Sequence, residues 1–141
     1  MSTSTPAVTV RHLGGDRLGI QVRGHELLAD QPLEEGGEDT APTPTELFLG
    51  SLAACVGFYA ERFLRRHGLP TAGLAVTCEW AWAQSPARVG GVELTVDALG
   101  LTPERRLAFE RVIEHCTIHN TLRQPPEVRF KVIAEKRMSA A

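Results

Sequence analysis

Pro42-Thr43-Pro44-Thr45-Glu46-Leu47-Phe48-Leu49-Gly50-Ser51-Leu52-Ala53-Ala54-Cys55 is the most informative run in this chain of 141 residues. Thr43 can cap the first free backbone N–H groups of a helix. Pro44 suits the first helical position, where its missing N–H costs nothing, and Glu46 stands three residues after the cap. Together they make a capping box with proline at N1. The helix so begun is predicted to run to about His67, where Gly68-Leu69-Pro70 stops it. Along it Gly50, Ala53, Ala54, Gly57 and Ala60 recur at helical spacing and make one face nearly flat. Phe48, Leu52, Val56, Tyr59 and Phe63 make another face bulky. A helix apolar on several faces is buried on several faces. The flat face lets a second backbone come close, either a second helix or a second subunit.

Upstream of this helix the chain reads as strands. Val8, Val10 and Leu13, then Leu18, Ile20 and Val22, alternate with polar residues about the turn Gly14-Gly15-Asp16. A third short strand is expected over His25 to Asp30, turned by Gly24, and Gln31 to Ala41 reads as an acidic loop. Downstream, Ala75 to Ala83 and Val92 to Leu99 alternate as two strands. Thr102-Pro103-Glu104 opens a second helix with Leu107, Phe109, Val112 and Ile113 as its apolar positions. That helix should end near Cys116, with Thr117 as a candidate cap for a short turn over His119 to Leu122. After Pro125-Pro126, Val128 to Ala134 alternates as a last strand. The order is strands, long helix, two strands, helix, strand, an α+β arrangement rather than a βαβ array. Residues 1–141 read as one domain, with 1–7 a flexible terminus.

Composition narrows the partners. A net charge of -2 offers no long-range attraction to nucleic acid or to an anionic membrane. The longest uncharged run, Leu47 to Ala60, is about 14 residues where a spanning helix needs about 20, so it is expected to be a core helix. The Ser/Thr-rich start has no signal-peptide pattern, which points to the cytoplasm. Three scattered cysteines, Cys55, Cys78 and Cys116, do not form a disulfide framework. In a reducing compartment such thiols are redox-active or inert rather than structural. Cys78 alternates with Trp80 and Trp82 and reads as packing.

A second segment, His115-Cys116-Thr117-Ile118-His119-Asn120-Thr121-Leu122, lies about 60 residues after the first cysteine. The helix start leading through small residues to Cys55, preceded by Gly36-Gly37, resembles the corresponding helix of the OsmC/Ohr family of small thiol proteins. The Cys116 segment is similar to that family's second-cysteine segment, and the order of elements matches over roughly residues 8 to 136. The resemblance implies the OsmC-like fold, an antiparallel or mixed sheet with a long central helix, in an intertwined homodimer.

It also implies a cysteine peroxidase acting on organic hydroperoxides. Cys55 would be the attacking thiolate, Cys116 the resolving thiol, and Glu46 the acid that positions an activating arginine. An external dithiol reductant, of lipoyl type among others, would close the cycle, with no cofactor and no metal. Arg17 is the first choice for the arginine, with Arg11 and Arg23 behind it. The sequence departs from the family pattern at Thr45, where the peroxidase branch carries glutamate, and at Thr117, where many members carry proline. Three other readings stand beside this one. One is an OsmC-like domain that binds a small apolar or thiol ligand. Another is a zinc site built on His115, His119 and Cys116. The last is a Cys–His hydrolase, for which nothing marks an oxyanion hole.

Overall fold

The computed structural model describes residues 4–135. Part of the expectation for residues 1–7 therefore lies outside the described residues. Helix α1 (Pro44–Arg66) begins where its local chemistry requires. Thr43 Oγ1 accepts the Glu46 N–H at 3.1 Å, and Glu46 Oε1 accepts the Thr43 N–H at 2.9 Å. A cap of this kind contributes about 1 kcal/mol. At the other end the Leu69 N–H donates to the Leu64 carbonyl at 2.8 Å while Gly68 takes φ +65°, which turns the chain off the helix.

Two antiparallel sheets flank this helix in sequence. The first contains β1 (Thr9–Gly14), β2 (Arg17–Val22) and β3 (His25–Ala29), joined by tight hairpins. In the β2–β3 turn the left-handed position falls on Arg23, at φ +53°, and not on the expected Gly24. The second sheet pairs β4 (Ala75–Ala83) with β5 (Arg88–Asp97), so β5 starts earlier and ends earlier than its alternation suggested.

Helix α2 (Arg106–Ile113) is preceded by a 3-10 turn at Pro103–Arg105, and helix α3 (Thr117–Arg123) follows at a corner. Cys116 rather than Thr117 caps α3. Of the four apolar positions expected on the second helix, Phe109 is buried and Ile113 packs at the core edge, whereas Leu107 and Val112 are exposed.

The core lies between α1, the β4–β5 sheet and α2. Ala60, Phe63 and Leu64 meet Phe109, whose ring stands edge-on to Phe63 at 5.4 Å between centroids. By length and composition α1 could cross a membrane; here it packs against β4, α2 and α3 as a core helix. The predicted flat face is divided in use. Ala60 is fully buried and Gly57 lies under Val76, at 3.6 Å from where a Cβ would stand, while Gly50 and Ala54 face outward.

The acidic segment after β3 is more ordered than its composition suggested. Asp30 is only 1 % exposed, and its carboxylate accepts the Thr40 hydroxyl at 2.6 Å, the Thr40 N–H at 2.9 Å and the Gln31 N–H at 2.8 Å. A side chain at Gly37 would put its Cβ 2.0 Å from the Gln31 carbonyl oxygen, so only glycine fits there. The hydrogen bonds from Thr40 lead in lowering the Asp30 carboxyl from 3.8 to about 2. A depressed carboxyl stabilises the fold above its unfolded value, and that contribution is lost as pH falls from about 4 toward 2. Asp30→Asn is expected to melt more easily at neutral pH and to show a flatter acid transition across that window, measured by circular dichroism.

The expected last strand is absent. Residues 125–135 form no regular element. A strand needs an edge to pair with, and this segment pairs with none of the strands described. Phe130 is 90 % exposed, with Val128, Val132 and Ile133 also outward. The chain as a whole exposes 11334 Å², where a compact monomer of this mass exposes about 7200 Å².

Candidate thiol site

Helix α1 carries Cys55 on a half-buried face, one turn before Tyr59. The corner between α2 and α3 carries Cys116, which is 0 % exposed. Cys116 forms an apolar cluster with Leu52 and Val56, and Cys55 and Ile118 pack against it, so the two thiols are brought into one cluster. The structure thus brings together two of the three site residues expected from sequence. Cys116 reaches this place because the chain turns at it: its Sγ accepts the His119 N–H at 3.3 Å and so caps α3.

The two thiols differ in setting. Burial pushes the Cys116 thiol up from its ordinary value of 9.0, and contact with Cys55 adds to the rise. Backbone N–H groups of His119 and Ile118 partly offset it. Cys55 is the one open to solvent-borne reagents. Cys78 lies apart from this cluster on β4, opposite Leu94, and burial pushes its thiol up as well. That placement agrees with a packing role.

Glu46 lies at the start of α1, nine residues before Cys55, which is about 13 Å along the helix axis. Its carboxylate is exposed and occupied by Thr43, whose backbone N–H leads in lowering its pKa. Among the described residues no arginine forms an ion pair with it. Arg11, Arg17 and Arg23 are all exposed on or beside the first sheet, whose strands pack chiefly on one another. His115 Nδ1 lies 2.6 Å from the Arg111 carbonyl, and His119 Nδ1 lies 2.6 Å from the Glu114 carbonyl. Among the described residues, no three His, Cys, Asp or Glu side chains are grouped to hold a metal ion.

Two features at this site were not singled out from the sequence. The Tyr59 hydroxyl hydrogen-bonds Thr117 Oγ1 at 3.0 Å, tying α1 to the residue next to Cys116. One turn beyond Cys55 a groove of about 400 Å³ opens, lined by Phe58, Tyr59, Phe63 and Val112 with Arg62 and Arg66 at its rim. Arg62 lies over the Phe58 ring at 4.6 Å. The spacing of these residues after Cys55 (i+3, i+4, i+7, i+8) was the available signal, since it puts them on neighbouring stripes of one helix.

Known proteins with this architecture share the fold. The chain resembles a crystal structure from Psychrobacter arcticus 273-4 assigned to the osmotic stress and detoxification response. The TM-score is 0.73 at 22% identity, with 86% of this chain and 90% of that one covered. An organic hydroperoxide resistance protein OsmC from Legionella pneumophila aligns with TM-score 0.65 and 23% identity, covering 87% and 92%. An OsmC like protein from Mycoplasma pneumoniae aligns with TM-score 0.70 and 15% identity, covering 88% and 91%. No curated protein matches the chain. The sequence pattern of the OsmC-like proteins matches residues 36–131, a span that holds α1, both sheet-two strands and both cysteines of the cluster. With that span covering most of its length, the chain belongs to the OsmC-like protein family.

Proposed function

We propose that this protein is a thiol-dependent peroxidase that reduces organic hydroperoxides. The observation that carries the reading is the placement of two thiols of unequal access in one apolar cluster. The Cys55 thiolate attacks the outer peroxide oxygen, the O–O bond breaks, and an alcohol leaves while Cys55 becomes a sulfenic acid. Cys116 then condenses with it, forming the disulfide and releasing water. An external dithiol, of lipoyl type among candidates, returns both to thiols. Cys116 fits the second role because no peroxide can reach a fully enclosed sulfur. The apolar cluster and the aromatic groove beside Cys55 favour an alkyl or aryl peroxide over hydrogen peroxide.

A homodimer belongs to the same proposal. The exposed apolar side chains Val128, Phe130, Val132 and Ile133 support it. The dimer would also offer Cys55 an arginine from the partner's first sheet. A reducing cytoplasm suits this chemistry.

Adding one equivalent of cumene hydroperoxide to reduced protein tests the reading. The expected result is rapid loss of two thiols with the mass of two hydrogens, both assigned to Cys55 and Cys116. Unchanged thiols would overturn it. They would favour the second reading, a small apolar or thiol ligand held at the cluster, which the absence of an arginine ion pair to Glu46 among the described residues supports. The raised Cys116 pKa adds a pH signature. Because the thiolate is the attacking form, disulfide closure should speed up with pH and keep rising past 9, followed by rapid quench.

A further inference from the structure

Between α1 and α3 the described residues share one side-chain hydrogen bond, from Tyr59 to Thr117 at 3.0 Å. Its two ends are placed tellingly. Tyr59 projects one helical turn after Cys55 and packs in the same cluster as both thiols. Thr117 is the first residue of α3 and follows Cys116 directly. The Cys116 sulfur is itself held by the His119 N–H at 3.3 Å, so it moves with that first turn. Cys55 packs against the cluster that contains Cys116 in this state. A bond that fixes the turn to α1 therefore holds Cys116 in reach of Cys55 rather than away from it.

We infer that Tyr59 is a positioning residue for disulfide closure: through Thr117 it keeps the Cys116 sulfur against Cys55. The inference rests on the Cys55–Cys116 pairing proposed above, but not on peroxide being the oxidant. Orientation of this kind acts on the closing step alone, because the attack by Cys55 on an outside reagent does not use Cys116. Thr117 is a suitable partner because a proline there would have no hydroxyl to offer.

Dithiobis(nitrobenzoate) separates the two steps in the full-length protein, with Cys78→Ser so that two thiols report. Cys55 attacks the reagent's disulfide, forms a mixed disulfide and releases one nitrothiolate. Cys116 then attacks the Cys55 sulfur and releases the second nitrothiolate as the protein disulfide forms. Tyr59→Phe keeps the ring and the packing. It is expected to slow the second phase about fivefold relative to the first, the factor an ordinary net hydrogen bond is worth. Thr117→Val should slow it equally, the double variant no further, and Thr117→Ser should restore the rate. A second phase unchanged in Tyr59→Phe, or both phases slowed alike, would overturn the inference. Biphasic release from a protein that ignores cumene hydroperoxide would sink the peroxidase reading and leave this inference standing.

Discussion

Replacing Cys55 with serine is expected to abolish reduction of cumene hydroperoxide, with a loss on the order of 10³-fold or more, as removal of a nucleophile does elsewhere. Serine fits the half-buried site on α1 and leaves α1, α3 and the cap at Cys116 intact, so the folded protein should persist. What vanishes is the only thiol of the pair that a peroxide can approach. Cys116→Ser should behave differently. The first equivalent of peroxide is still consumed, but the product stops at the sulfenic acid and, in excess peroxide, passes on to sulfinic acid. Intact mass after a single addition distinguishes these outcomes. Full turnover by the Cys55→Ser protein would remove Cys55 from the chemistry.

The second large effect is expected at the other end of the chain. Val128, Phe130, Val132 and Ile133 are exposed together on a segment with strand-like alternation and no partner. A row of four such side chains in water is unfavourable, each losing roughly 1.5–3 kcal/mol of burial that a partner would supply. Phe130→Asp with Val132→Asp is expected to convert a dimer into monomer, halving the mass measured by sedimentation, and to lower thermal stability. If the wild type already sediments at 15.4 kDa, the dimer proposal fails. Unchanged dimer mass in the double variant would place the interface elsewhere.

Helix α1 was legible because its limits are local. Thr43, Pro44 and Glu46 satisfy the first backbone N–H groups from within three residues, and Gly68 supplies the left-handed exit. The two hairpins of the first sheet were legible for the same reason, although a few residues at β5 and the choice of Arg23 over Gly24 were not. The acidic segment is the loop that its composition predicts, but composition reports little about the single buried carboxylate that orders it. Asp30 organises it by hydrogen bonds that reach ten residues ahead.

The sequence by itself determined the α+β order, the capped central helix, the resemblance to OsmC-like proteins and the identity of the two candidate thiols. Only the tertiary structure decided that those thiols share one apolar cluster, that one is shut from solvent, and that Glu46 stays with Thr43. It also left residues 125–135 without the strand that their alternation predicts. The physical reason is common to all of these. Caps, turns and periodicity act within a few residues and are written in the order of the chain. Contact between groups some 60 residues apart, burial of a sulfur and pairing of a strand depend on which surfaces meet.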